Sequence, residues 1–554
     1  MFCKFQPVTF LCWILGVIVI LGFAGGCSSE QYKADADAEV YNIIDAKWQD
    51  DFGQKTNYVI SDANVPVSQI EIVSPNEPES TNNVEIAEMI PESGVLNLQQ
   101  AVEIATKFNR EYQSRKESLY LSALGLTLTR HRYARQWFQT IDGTYVDDKS
   151  NGDDMRIDGS GGVDQQSLFL DGVLFNIGIA IDWTRFLTGD PRTTLGSILS
   201  GDVAVPLLGA GAGKAARENL TQSERNVLYQ IRTFNRFRKT FVVSIISDYY
   251  RVLEQKNSVT IAEKSYQRRI ESTDQLKMEV KVGQKPSSEA DEAMQELLKA
   301  ENSLVTKRQS YEAALDRFKI RLSLPTDANI VLDQNELAAL EEIGISQPEY
   351  TVEEAMEIAL AQRLDLANTR DSLEDSARKL ELAAQGLGVQ LNLLGSAEVS
   401  SANKTAFDRL QFQQGAYSLG FESDLPLDRK AERNAYREAL ITVEQRNRSY
   451  DEDAENVKLD IREAYRDLTE KAETYRIQKI GLELAQRRVE EQELLLEYGR
   501  GIIRLLLETM DDLVQAENEL TSALVAHTIA KMSFFRDIGI LQVKPDGMWE
   551  QRAQ

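Results

Sequence analysis

Apolar residues recur at helical spacing through two very long stretches of the chain. Residues 210–282 and 430–498 contain no proline and almost no glycine. In the second stretch the apolar positions are separated by three, four or seven residues, which is the period of a coiled-coil seam. A helix of about 70 residues is about 100 Å long, so the pattern predicts an elongated helical assembly. The seam positions are Val457, Ile461, Ala464, Leu468, Tyr475, Leu482, Ala485 and Val489.

Three shorter segments, 173–184, 389–400 and 417–424, alternate apolar and polar residues as β-strands do. An apolar face opposite a small or polar face suits a strand between lipid and a watery lumen. A half-buried strand of a soluble sheet has the same alternation, but we favour the membrane strand. The apolar positions are Val173, Phe175, Ile177, Ile179, Ile181, Trp183, Val389, Leu391, Leu393, Ala397, Val399, Tyr417, Leu419 and Phe421.

The chain contains two copies of one unit. LQQAVEIA at 98–105 matches VEEAMEIA at 352–359. Two further pairs of matching segments follow in the same order. In the first pair, PLL followed by REN-L matches PL followed by REAL, and in the second pair AENSL matches AENEL. Repeats of this kind indicate duplication of a whole structural unit.

The sequence pattern of each copy predicts a helix, a β region, a very long helix, a turn that contains glycine, and another helix. The first helix of each copy is expected at about 98–136 and 352–385. The predicted boundaries are a signal peptide at 1–26, an acidic extension at 27–95, copy one at 96–345 with strands within 136–206, copy two at 346–542 with strands within 388–426, and a tail at 543–554.

The N-terminal residues have the anatomy of a secretory signal, with one lysine before an apolar run. The run ends in Ala24-Gly25-Gly26-Cys27, which resembles the lipoprotein cleavage box, in which the cysteine is lipidated. Cys27 would then be the only cysteine of the mature chain, so neither a disulfide nor a cysteine metal site is expected. The extension is predicted to have little core of its own, with a helix around 34–48.

The net charge of −25 argues against nucleic acid as a partner, because a phosphate backbone requires lysine and arginine. Beyond Cys27 no apolar run approaches the roughly 18 residues of a helical membrane span. Entry into a membrane would therefore require a β-barrel.

The order and duplication of these motifs resemble the outer-membrane efflux protein family, the TolC-like outer membrane factors, here of lipoprotein type. The supporting segments are VPLLGAGAGKAAREN at 205–219, DLPLDRKAERNAYREAL at 424–440, and the turns that begin at 282 and 498. The resemblance implies a mainly α protein with a β-barrel portion, assembled as a homotrimer. Two strands per copy would give a 12-stranded outer-membrane β-barrel, continued by a periplasmic α-helical barrel. Whether 172–186 is a membrane strand or an external hairpin stays open.

The resemblance also implies the function: a passive exit duct of a tripartite efflux pump or type I secretion system. The duct would be lipid-anchored in the outer membrane of a Gram-negative-type bacterium and extend into the periplasm. Its partners would be a membrane-fusion adaptor protein, an inner-membrane transporter and outer-membrane lipid. The positions matching the adaptor-contact turns are Val282, Gly283, Gln284, Lys285, Pro286, Tyr498, Gly499, Arg500, Gly501 and Ile502.

Family members narrow the periplasmic end with acidic residues after the second turn. Of the two matching positions, Glu508 keeps the acid and Leu505 does not. Arg504 lies one helical turn before Glu508, so the two are candidates for a periplasmic gate or for a solvated i,i+4 salt bridge.

No catalytic, cofactor-binding or metal site is predicted, and the chain is not expected to be an enzyme. The glycine-rich stretch does not match a phosphate-binding loop, because Gly213-Lys214 is followed by Ala215 where such a loop requires Ser or Thr. The two histidines, His131 and His527, are each isolated and are expected at the surface. The alternative to the duct is a lipid-anchored periplasmic coiled-coil structural protein without a pore.

Overall fold

The secondary structure follows the predicted plan of long helices and a β region in each copy. The computed structural model describes residues 28–49, 52–55, 57–60, 91, 94–148, 154–186, 193–209, 212–345, 350–401, 410–424, 428–498, 500–544 and 549–551. The predicted signal peptide, Cys27 and Gly499 lie outside the described residues. The elements in chain order are α1 (Ser29–Lys47), β1 (Val95–Leu96), α2 (Leu98–Phe108), α3 (Arg110–His131), β2 (Arg135–Asp148), β3 (Asp154–Leu168), β4 (Leu174–Phe186), β5 (Thr193–Leu208), α4 (Glu218–Lys281), α5 (Ser287–Arg321), β6 (Val331–Leu332), α6 (Asn335–Ile343), α7 (Val352–Gln362), α8 (Leu364–Gly386), β7 (Gln390–Ser400), β8 (Ala416–Asp424), α9 (Lys430–Glu497), α10 (Ile503–Ile538), β9 (Leu541–Val543) and β10 (Trp549–Gln551).

The two predicted long helices are present, with 64 residues in α4 and 68 in α9. The coiled-coil seam of α9 is buried at six of its eight predicted positions, while Ala464 and Leu482 are half-buried. Hydrophobic burial along this one stripe, rather than helix propensity alone, therefore stabilises so long a helix.

The prediction of one continuous helix at the start of each copy was wrong. In copy one the helix breaks at Asn109, where the backbone is extended and the side-chain Oδ1 accepts from the N–H groups of Glu111 and Tyr112. In copy two it breaks at Arg363, whose guanidinium binds Asp365 and Asp460. Both breaks are therefore stabilised by the polar side chain of the residue that leaves the helix.

Helices α2 and α7 begin in the same way, which explains part of the sequence repeat. Asn97 caps α2 and Thr351 caps α7. Each cap residue forms a reciprocal capping box, with Gln100 and with Glu354 respectively. Such a box satisfies two of the backbone N–H groups that a helix start leaves without partners.

The β region is one sheet of six strands in the order β2-β3-β4-β5-β7-β8, with every neighbouring pair antiparallel. This corrects the expected two strands per copy, because copy one supplies four strands and copy two supplies two. The segment left open in the sequence, 172–186, forms β4, which has strands on both sides. Copy one is longer because it carries one additional β-hairpin.

The glycine-rich stretch after β5 is a turn between strand and helix. The strand ends at Leu208, and α4 begins at Glu218. Gly209 has φ +100°, and a Cβ there would lie 2.8 Å from Cγ of Gln390. Glycine is thus required both for the backbone angle and for the close approach of β7.

By its contacts the chain divides into two compact units. The first comprises Leu119–Leu228, Gln385–Asp428 and the N-terminal segment up to Trp48, and it contains the sheet. In this unit α1 buries Val40, Ile43 and Ile44, so the extension has more core than expected. A hydrogen bond of 2.6 Å from Oη of Tyr120 to Oδ1 of Asp37 connects α1 to α3.

The second unit comprises Gln49–Ser118, Tyr229–Ala384 and Arg429–Gln554. Part of its core is an aromatic cluster in which Tyr112 contacts Phe234, Phe237 and Phe241 at ring-centroid distances of 5.2 to 5.8 Å. Among the described residues, no helix is both long enough and apolar enough to cross a membrane.

Candidate functional site

The first predicted contact turn joins α4 to α5. The N–H of Gln284 donates to Glu279 O and that of Gly283 donates to Val280 O, both at 3.0 Å, which closes the end of α4. Gly283 has φ +75°, the left-handed angle that glycine adopts at such helix ends. Lys285 pairs with Glu289 at 3.3 Å, while Val282 stays exposed. The turn is therefore fixed by its backbone and presents an apolar side chain.

The second turn joins α9 to α10 and is tighter. The N–H groups of Arg500 and Gly501 both donate to Leu495 O, at 2.9 and 2.8 Å. A Cβ on Gly501 would lie 2.7 Å from the backbone N of Leu496, so only glycine fits there. Tyr498 and Ile502 flank the turn and are exposed.

The two turns lie at the same end of one packed set of helices. A cluster of buried apolar residues joins both hairpins just before the turns. Its members are Leu276, Ala293, Ala485, Val489, Ile503, Leu506, Leu507, Met510, Leu513 and Ala516. The predicted contact residues of the two copies, 216 positions apart in sequence, are thereby brought onto one surface.

This surface, which we call the tip, exposes several large apolar side chains. Tyr498 is 76% exposed. Five large apolar side chains are exposed within about one helical turn of the two reversals: Met278, Val282, Leu494, Tyr498 and Ile502. Exposed apolar groups collected in one place are typical of a protein-contact surface.

The six-stranded sheet has one mainly apolar face and one mainly polar face. The ladder registers pair odd-numbered with odd-numbered residues in every strand up to the bulge at Pro206 and Leu208. The odd-numbered face carries Trp137, Ile141, Tyr145, Ile157, Val163, Phe175, Ile177, Ile179, Ile181, Trp183, Leu199, Val203, Leu393, Val399, Tyr417, Leu419 and Phe421. The even-numbered face carries Gln136, Thr140, Asp142, Asp158, Asp164, Asn176, Asp182, Ser200, Asp202, Asn392, Ser396, Glu398, Ser418 and Glu422.

Comparison with solved structures finds channel proteins with this architecture. A structure of CusC matches with a TM-score of 0.57 at 13% identity, over 84% of this chain and 95% of that one. Conformational changes accompany the folding of CusC and the formation of its transmembrane channel. The outer-membrane channel OprN matches with a TM-score of 0.56 at 14% identity, over 87% and 99%. The CmeC outer membrane channel of Campylobacter jejuni matches with a TM-score of 0.57 at 13% identity, over 80% and 85%. The chain has the fold of the TolC-like outer-membrane channels. No protein-family model and no curated protein sequence matches the chain.

The gate candidates Arg504 and Glu508 are both exposed on α10. Within the described part of the chain, neither is in ion-pairing contact with the other, although they lie one turn apart. The structure therefore leaves both groups accessible to solvent and to ions.

The acidic residues that do form cross-helix pairs are the next two on α10, Asp511 and Asp512. Asp511 Oδ1 lies 2.5 Å from Nη2 of Arg269 on α4, and Asp512 Oδ2 lies 2.8 Å from Nη1 of Arg488 on α9. Adjacent residues on a helix point in different directions. Asp511 and Asp512 thus connect α10 to α4 of copy one and to α9 of copy two.

Arg269 was not predicted from the sequence. Its side chain is 2% exposed, and its Nη1 lies 3.7 Å from Oε2 of Glu296 on α5. It borders a small cavity of about 260 Å³ that Ser265, Lys299 and Ser303 also line. An arginine in a long helix gives no pattern signal, because its partner Asp511 is 242 positions away.

The expectation that both histidines lie at the surface was half wrong. His131 is exposed at the end of α3, but His527 is buried on α10 with 2% exposure. Across the described residues, no three His, Cys, Asp or Glu side chains are grouped so as to hold a metal ion.

Proposed function

We propose that the protein is an exit duct of a tripartite efflux pump or type I secretion system in the outer membrane. Substrates would pass through it passively from the periplasm to the exterior. The observation that carries the proposal is the two-faced sheet, since an apolar face opposite a polar one suits a wall between lipid and water. The likeness to solved outer-membrane channels supports the same function.

We further propose that the functional unit is a homotrimer, with a β-barrel in the outer membrane and an α-helical barrel in the periplasm. Within the described residues β2 and β8 each pair with one strand only. Closed rotational symmetry removes such open edges. Lipid on Cys27 would anchor each N-terminus to the same membrane.

The tip is the proposed docking surface for a membrane-fusion adaptor, which would connect the duct to an inner-membrane transporter. Its support is the exposure of Val282, Tyr498 and Ile502 beside two rigid turns. A rigid surface loses little conformational entropy on binding, and buried aromatic side chains supply much of the energy of such interfaces.

Glu508 is the proposed constriction residue, with one carboxylate from each protomer in a ring that favours cations. The test is the reversal potential of single channels in a salt gradient. Glu508→Gln should lower cation selectivity, whereas Glu312→Gln, an exposed glutamate on α5, should leave it unchanged. An unchanged reversal potential in Glu508→Gln removes this residue from the gate.

The experiment that separates the duct from a pore-free coiled-coil protein is membrane extraction. A duct should remain in outer membranes washed with sodium carbonate and should run as a heat-modifiable, trypsin-resistant trimer. A lipid-anchored coiled-coil protein should lose its membrane association when Cys27→Ala abolishes lipidation. The same substitution should leave a barrel in the membrane, so the two results are opposite.

A further inference from the structure

The additional hairpin of copy one has the same two-faced pattern as the rest of the sheet. One row on the polar face crosses all six strands: Gln136, Gln166, Asn176, Asp202, Ser396 and Ser418. One row on the apolar face crosses the four inner strands: Val163, Ile179, Leu199 and Val399. The additional hairpin therefore continues both faces of the sheet in register with its neighbours.

The hydrogen-bonded ladders also argue against an external hairpin. Strand β4 pairs with β3 through 13 residue positions and with β5 through 12. Removing β3 and β4 from the wall would break the ladder to β2 on one side and the ladder to β5 on the other. In lipid each lost backbone hydrogen bond costs several kcal/mol, on the order of the penalty for an unsatisfied polar group.

The two edge strands expose the sheet's apolar side chains most. Trp137 of β2 is 68% exposed, and Leu419 and Phe421 of β8 are 78% and 71% exposed. On the inner strand β4, Ile177 and Ile179 are only 38% and 44% exposed, because neighbouring strands cover them. The edges therefore have the exposure expected of strands that lack a neighbour on one side.

A second subunit of this chain fits both edges. Six antiparallel strands alternate in direction, so β2 and β8 run in opposite directions. When β8 of one subunit lies beside β2 of the next, the pair is again antiparallel. The large apolar side chains of both strands are at odd-numbered positions, namely Trp137, Ile141 and Tyr145 on β2 and Tyr417, Leu419 and Phe421 on β8, so the apolar face can continue across the junction.

We infer that all six strands of each subunit line the membrane wall, so that a trimer closes as an 18-stranded barrel with β8 paired to β2 of the next subunit. This inference rests on the proposed duct function and revises the 12 strands that the family resemblance implies. With strands about 4.8 Å apart and tilted by about 40°, 18 strands give a backbone diameter of about 36 Å, against about 24 Å for 12. The membrane section is thus about 1.5-fold wider and passes correspondingly larger cargo.

Cysteine cross-linking tests the junction, because Cys27 is the only cysteine after residue 26. Ser418→Cys is combined in turn with Gln136→Cys, Thr140→Cys and Thr144→Cys in the full-length protein, and outer membranes are treated with a short bifunctional maleimide. We expect at least one combination to give a covalent trimer on denaturing gels. Ser396→Cys with Ser418→Cys is the reaction control, since these hydroxyl oxygens lie 2.7 Å apart within one subunit and should link without changing size.

An arrangement in which β2 and β3 lie outside the wall would place β4 at the subunit junction, and it has its own cross-link. Asn176→Cys on β4 with Ser418→Cys should stay monomeric, because β4 and β8 are three strands, about 14 Å, apart in one subunit. Covalent trimers from that pair would place β4 at the subunit junction and overturn the inference, while the duct itself would stand. A collar of about 24 Å in a reconstruction of the unmodified trimer would overturn it equally. A protein with no trimer and no collar contradicts the proposed function as well.

Discussion

Arg269 Nη2 and Asp511 Oδ1 lie 2.5 Å apart and join α4 of copy one to α10 of copy two. The arginine is almost fully buried, so the contact holds the two hairpins together behind the tip. Asp512 makes the corresponding contact to α9 through Arg488.

Arg269→Met should loosen the packing of α10 against α4. It removes the partner of Asp511 and a charge-assisted hydrogen bond, which contributes about 1.5–3 kcal/mol. We expect amide hydrogen exchange in residues 503–516 to rise about tenfold or more. Arg268→Met is the matched control, because that neighbouring arginine is only half-buried. Equal exchange rates in both variants would mean that the ion pair does not restrain α10.

Gly501→Ala should disturb the second turn. The added methyl group would meet the backbone of Leu496, and such overpacking costs about 1–3 kcal/mol. We expect a lower melting midpoint and weaker adaptor capture.

Gly481→Ala is the control for that substitution. It lies inside α9, where the nearest side-chain atom, Oε1 of Gln478, is 3.7 Å from the new Cβ. It should raise stability by about 0.5–1 kcal/mol, because alanine is the better helix former. A tolerated Gly501→Ala would contradict the geometry of the turn.

Tyr498→Ser and Ile502→Ser should weaken binding of the cognate adaptor without affecting the fold. Both side chains are exposed at the tip, so their removal creates no cavity. A lost aromatic anchor typically costs 2 kcal/mol or more, about 30-fold in Kd. Ile477→Ser, an exposed isoleucine farther along α9, should leave the Kd unchanged. Equal effects of all three substitutions in a pull-down titration would exclude the tip as the docking surface.

Lys116 gives a pH-dependent prediction. Burial, reinforced by the charge of Lys107, lowers the pKa of Lys116 to about 8 from its ordinary value of 10.5. Its ammonium lies 5.4 Å from the ring centroid of Tyr112. Between these two pKa values the unfolded chain binds more protons than the folded chain, so stability rises with pH from about 8 to about 10.5. Below pH 8 the cost of the buried charge is fully present, on the order of 3 kcal/mol.

Lys116→Met should therefore raise the melting midpoint at pH 7 and abolish the rise between pH 8 and 10.5. Thermal melts across this range measure both effects. Lys379→Met, at an exposed helix position, should leave the profile of the unmodified protein intact. A Lys116→Met profile that still rises with pH would show that another group is responsible.

The periodic spacing of apolar residues made the long helices and the regularly alternating strands predictable. The seam of α9 and the strands β4, β7 and β8 could be predicted because each buries or exposes a regular set of large apolar residues. Strand β3 could not, because its apolar face includes Gly159 and Gly161 between Ile157 and Val163. The number of strands in copy one was missed for this reason.

Local sequence patterns could not predict the features that depend on residues far apart in the sequence. The helix breaks at Asn109 and Arg363 depend on side-chain bonds to Arg321 and Asp460. The pairing of Arg269 with Asp511 and the burial of His527 depend on the packing of α10. The two turns between the long helices, by contrast, were recognisable because glycine and a repeated motif mark them in sequence.

The measurement that tests the duct most directly is an electron-microscopy class average of the detergent-purified mature protein. The account predicts a three-fold, tapered tube, with a helical barrel on the order of 100 Å long and a short membrane collar. Thin rods without a collar would contradict it, and the two-faced sheet would then have to belong to a soluble coiled-coil protein.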